Sequence, residues 1–130
     1  MATPAGYSGK PVFQKLGIKD DTRIHPLCAP AAYDEIVPDH PGRLVSGTAD
    51  LVHLFCADRA TLDTRLPDAL GFVEQGGMLW VSWPKKSSAL FVDLTEDDLR
   101  SALLPLGWVD VKVCAVSDQW SGLKFLKRKR

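Results

Sequence analysis

Lys85, Lys86, Ser87 and Ser88 follow Pro84 without a break. Two cations, two hydroxyls and the N–H groups of a turn make a donor set suited to a phosphate or a carboxylate. The remaining reactive side chains are sparse. Cys28 and Cys56 each follow an apolar run, and each lies three residues after a histidine, His25 and His53. A thiol nucleophile needs a base beside it or a helix N-terminus. Three residues along a strand put two side chains on opposite faces. The cysteines are therefore expected as small packing residues. No CxxC pair and no histidine pair four residues apart occurs, so no metal site is expected.

Composition narrows the classes. Sixteen basic and sixteen acidic side chains cancel in 130 residues. A global field that would draw nucleic acid or a membrane surface is not expected. Three widely spaced cysteines argue for a reducing compartment. The N-terminal stretch "MATPAGYSGK" has no apolar core of a secretory leader, and no apolar run approaches the length of a membrane helix. Together these features predict a cytoplasmic chain with a loose arm over residues 1–10 and one domain over 11–130.

The reactive residues must be positioned by alternating elements. "PVFQKLGIK" predicts a short helix begun at Pro11 and stopped at Gly17. "TRIHPLC" predicts a strand, with Pro26 arguing against a regular central ladder. Two helical turns over 29–37 and a weak strand over 43–47 follow. "DLVHLFC" reads as a strand covered on both faces. Asp58 caps a helix with Leu62, Leu66, Leu70 and Val73 on one stripe, which Pro67 is expected to kink or split. Gly76-Gly77 turns the chain into the apolar strand 78–84. Thr95 to Asp98 reads as a capping box, with Leu94 and Leu99 as its staple and Leu99, Leu103 and Leu106 as the stripe. The chain closes in a hairpin whose first strand, 108–116, alternates with period two. Alternation of this kind predicts a three-layer, Rossmann-like α/β domain with a mainly parallel sheet and an antiparallel C-terminal hairpin.

From Asp50 onward this order resembles the second half of the class I methyltransferase fold, with strands four to seven in "DLVHLF", "GGMLWVSWP" and the hairpin. The stretches "DLVHLF", "WVSWPKKSS", "DLTEDDLR" and "VDVKVCAV…WSGLK", with "YSG" and "KLGI" near the start, also resemble a family of small bacterial proteins of about this length. That second resemblance implies architecture and no particular activity. The first implies S-adenosylmethionine, held by a glycine-rich turn after strand one and an acidic residue after strand two. Here the turn is "LCAPAAYDE" (27–35), without glycine and with Pro30 in it. Asp50 opens the following strand instead, and the segment that would carry strand three is missing.

In open parallel sheets a ligand sits beyond the carboxyl ends of the strands, at the topological switch point. The segments expected there place Cys28, Tyr33, Asp58, Trp83, Lys85, Lys86, Ser87 and Ser88 as ligand-binding candidates. The reading is a non-catalytic, methyltransferase-like domain that binds a small anionic ligand or a protein partner. The alternative is a reduced S-adenosylmethionine-dependent methyltransferase, or another small enzyme, using the same crevice. No catalytic residue and no cofactor is assigned. Nucleic acid is not an expected partner.

Overall fold

The structure, a computed structural model, describes residues 10–128. The arm expected over residues 1–10 lies outside them except for Lys10, as does Tyr7 of the "YSG" stretch.

Among the described residues six strands form one sheet in the order β2-β1-β3-β4-β6-β5. They are β1 (Arg23–Leu27), β2 (Arg43–Leu44), β3 (Ala49–Phe55), β4 (Val73–Pro84), β5 (Trp108–Ala115) and β6 (Trp120–Lys127). β1 to β4 run parallel, and β6 lies antiparallel to both β4 and β5. Four helices cover the sheet: α1 (Val12–Leu16), α2 (Tyr33–Ile36), α3 (Arg59–Phe72) and α4 (Glu96–Leu103). The α/β layering, the parallel sheet and the antiparallel hairpin agree with the sequence reading.

Each face of the sheet has its own core. Val52, Leu54, Leu79, Val81, Leu123 and Phe125 meet Leu62 and Leu66 of α3 and Leu99 and Leu103 of α4. On the other face Leu51, Phe55 and Trp80 meet Leu16, Ile18, Tyr33, Val37 and Trp120. Each such leucine or aromatic contributes about 1.5–3 kcal/mol when removed from water. The Trp80 indole N–H donates to the Leu16 carbonyl at 3.0 Å, so the most central aromatic also fixes α1.

Local chemistry explains the element ends. Gly17 sits at φ 84, a left-handed cap from which its N–H and that of Ile18 return to the last turn of α1. Asp58 accepts from Thr61 N–H at the start of α3. Thr95 and Asp98 close the capping box that starts α4, over a fully buried Leu94 and Leu99.

Four details depart from expectation. Pro26 lies inside the ladder, but the carbonyls of Thr22 and Ile24 bond toward β2, so the proline nitrogen faces the side on which β2 has already ended. α3 runs unbroken through Pro67, carried by buried Leu62, Leu66 and Ala69. Gly76, at φ 81, turns the chain inside β4, where several residues of β4 bulge out between the Ala49–Val73 and Leu51–Met78 pairs. Leu106 falls in a 3-10 turn after α4 and is half exposed rather than part of the stripe.

Candidate functional site

The chain passes from β1 to β2 through α2 on one face, and from β3 to β4 through α3 on the other. The switch point therefore lies between the carboxyl ends of β1 and β3. A crevice of about 570 Å³ opens there, lined by Cys28, Pro30, Phe55, Asp58, Thr61, Thr64, Arg65 and Trp120, among others. Cys28 follows β1 and is exposed, with its backbone at φ 59. The turn after the first strand thus reaches the left-handed region without a glycine, at a cost of order 1 kcal/mol.

The ionisable groups around this crevice are largely committed. Asp58 accepts from the Thr61 hydroxyl at 2.7 Å and from its N–H at 2.9 Å, and these bonds hold its carboxyl below the usual range. Burial pushes the Cys56 thiol up to about 12, with Cys28 and Asp58 adding to the effect. Tyr33 is buried beneath the turn, where its phenol bonds His53 Nδ1 at 2.8 Å and desolvation raises its pKa. His53 Nε2 reaches Ser82 Oγ at 2.7 Å, and complete burial holds the imidazole neutral, with its pKa lowered to about 3. The ring stacks on Phe55 at 4.2 Å. Tyr33, His53 and Ser82 form a polar chain through the core; Ser82 has a serine–histidine contact but no access to a substrate.

A second opening, of about 390 Å³, lies where β4 ends. Trp83, Lys85, Lys86, Thr95, Glu96, Asp97, Arg100 and Ser121 line it. Arg100 bridges Glu96, Asp97 and Asp110, so the carboxylates on this wall are already compensated. Among the described residues no carboxylate lies within salt-bridge distance of Lys85 or Lys86. The turn itself is closed by Lys85 N–H donating to the Gln119 carbonyl and Ser88 N–H donating to the Lys85 carbonyl. The Ser88 hydroxyl donates to Gln119 Oε1 and accepts from Leu90 N–H.

The eight candidates thus divide. Cys28 and Asp58 meet at the switch-point crevice; Trp83, Lys85 and Lys86 meet in the second opening. Tyr33 lies in the core, Ser87 is in the turn, and Ser88 holds that turn together. The openings share no residue, and Arg59 stands between them, its N–H on Asp93 and its guanidinium on Asp98. Sequence reasoning missed Phe55, Thr61, Thr64, Arg65 and Trp120. The available signal was positional: 60, 61, 64 and 65 share one face of the helix that follows a strand's carboxyl end. Asp50, by contrast, sits at the opposite end of the sheet, paired with Arg23 at 3.0 Å. It is held below the usual carboxylate range by the Arg23 hydrogen bonds.

No protein-family model and no curated protein sequence matches the chain. Solved structures do. A putative type 11 methyltransferase from Sulfolobus solfataricus superposes with a TM-score of 0.61 at 10% identity, over 90% of this chain and 89% of that one. The DhpI–SAH complex gives 0.59 at 10% identity, over 92% and 83%. The glycopeptide N-methyltransferase MtfA gives 0.59 at 9% identity, over 97% and 94%. The fold is therefore that of the methyltransferases. No helix among the described residues is long and apolar enough to cross a membrane.

Proposed function

We propose that the chain is a non-catalytic binding domain on a class I methyltransferase frame, taking a small anionic ligand at the carboxyl edge of its sheet. The observation that carries this reading is the opening at the end of β4. There, among the described residues, Lys85 and Lys86 stand without acidic partners, while every carboxylate of the facing helix wall is tied to Arg100 or to a cap. Partial burial of Lys85 beside Trp83 strengthens its attraction for an anion, and exposed Lys86 adds a second charge. Ser87 adds a hydroxyl in the same turn.

The side chains of the crevice support the non-catalytic part of this reading. His53 and Cys56 are buried, Asp58 is a helix cap, and none of them is presented as a base. Isothermal titration of phosphate into the full chain tests the reading. The wild type binds; K85A/K86A does not, with stability changed by less than about 1 kcal/mol, as expected of exposed side chains. A double variant that unfolds makes the lysines structural, and one that folds and binds unchanged removes the site.

A second reading is favoured by one observation: Cys28 at φ 59 gives the first-strand turn the backbone that a cofactor turn needs. On that reading a reduced methyltransferase works in the 570 Å³ crevice. The first reading predicts no S-adenosylmethionine binding tighter than millimolar, and micromolar binding reverses the order of the two.

A further inference from the structure

The zero net charge is the sum of two opposed parts. Residues 1–19 and 108–130 hold nine basic and two acidic side chains; residues 20–107 hold seven basic and fourteen acidic. The first group carries +7 and the second −7 by formal count. The two segments of the basic group touch in the fold, because the Lys112 ammonium donates to the Lys15 carbonyl at 2.8 Å. Lys112 stands directly opposite Lys124 on the antiparallel pair β5–β6. Like charges placed opposite each other cost stability. Among the described residues neither Lys112, Lys124, Lys127 nor Arg128 has a carboxylate within salt-bridge distance. Of the two acids, Asp110 is bound to Arg100 on the other face, and Asp118 lies in the hairpin turn at the far end of the strands.

We infer that this band, running from α1 across β5 to the end of β6, is a docking surface for the phosphate backbone of a nucleic acid. It lies away from the crevice and from Lys85–Lys86, and does not depend on either. Its shape favours this partner over a membrane. The charges centre on Lys112 and Lys124 side by side, with Arg128 just past the end of β6, while Lys127 pairs with Trp108 on the opposite face of the sheet. No exposed large apolar side chain comes from α1 or β6; of the two on β5, Val113 turns to the opposite face with Leu123, and Val111 alone, at the irregularity beside Lys112, adjoins the band. A membrane-binding surface would pair its cations with several such groups. Among the described residues no exposed aromatic ring offers base stacking, so recognition is by charge and without sequence preference.

Fluorescence anisotropy with a labelled single-stranded RNA of about 20 nucleotides, at about 50 mM salt and upward, tests this. Contact by Lys112, Lys124 and Arg128 predicts a slope of log K against log salt of about −2. K112A/K124A should bind more weakly and bring the slope to about −0.7. K124E alone leaves the Lys112–Lys15 bond in place and should also weaken binding, which keeps the test decisive if the double variant fails to fold. No binding at low salt overturns the inference, as does undiminished binding by folded K124E. Stronger binding to anionic lipid vesicles than to RNA reassigns the band to a membrane. Salt-sensitive self-association that K124E abolishes reassigns it to the acidic part of a second copy.

Discussion

His53 makes this fold acid-sensitive above the range in which carboxylates titrate. Its imidazole is completely buried between Tyr33 and Ser82, with a pKa near 3 against 6.5 in the unfolded chain. Below the unfolded value, the unfolded chain takes up a proton that the native chain refuses. Stability is therefore fully present above pH 6.5 and falls as pH drops toward 3. The slope approaches about 1.4 kcal/mol per pH unit, which makes the loss about 2 kcal/mol between pH 7 and pH 5. Urea unfolding followed by tryptophan fluorescence at the two pH values reads this directly. His53→Gln removes the titration while keeping a donor and an acceptor. It should lower stability at pH 7 by about 1–3 kcal/mol through imperfect bonding to the two buried hydroxyls, and abolish most of the pH dependence. Equal wild-type stability at both pH values, or the same acid loss in the variant, refutes the reasoning.

A methyl group at Gly122 would meet Val116 Cγ2 at 3.0 Å, Trp80 Cε3 at 3.2 Å and Ser82 Oγ at 3.3 Å. Gly122→Ala should therefore cost about 1–3 kcal/mol in chemical denaturation. Thr95→Ala opens the capping box and should cost about 1 kcal/mol, visible as a lower midpoint without a change in slope. In thiol titration of the folded chain, exposed Cys28 should react first, while Cys56, buried and pushed up to about 12, reacts only after unfolding. Fast modification of Cys56 in folded protein contradicts its placement in the core.

Much of the frame was legible because burial on two faces leaves a plain signature. Met78 to Trp83 and Leu51 to Phe55 read as runs that are apolar but for Ser82 and His53, and both are inner strands. The capping box at Thr95 was legible because its two bonds are local. What was not legible depends on contacts between distant segments. β5 reads as a clean alternation, but an irregularity between Asp110 and Lys112 puts Asp110 and Val113 on one face and Lys112 and Cys114 on the other. The result is that Val111 and Val113 are half exposed on an edge strand. Pro67 was expected to kink or split a helix whose tertiary burial holds it together. The crevice at the sheet's carboxyl edge was legible from topology, and the division of the candidate residues between two openings was not, because Arg59, Asp93 and Asp98 come together only in the fold. The buried Tyr33–His53–Ser82 chain escaped for the same reason: three polar residues in three apolar segments give no local sign that they meet.

Ligand binding at Lys85 and Lys86 is tested most directly by an NMR titration of the full chain with sodium phosphate, following backbone amides. Saturable shifts at Lys85, Lys86, Ser87 and Ser121 are expected, and they should vanish in K85A/K86A while the rest of its spectrum stays that of the wild type. Amides there that stay still at tens of millimolar phosphate, or that move equally in the double variant, contradict an anion site at the end of β4.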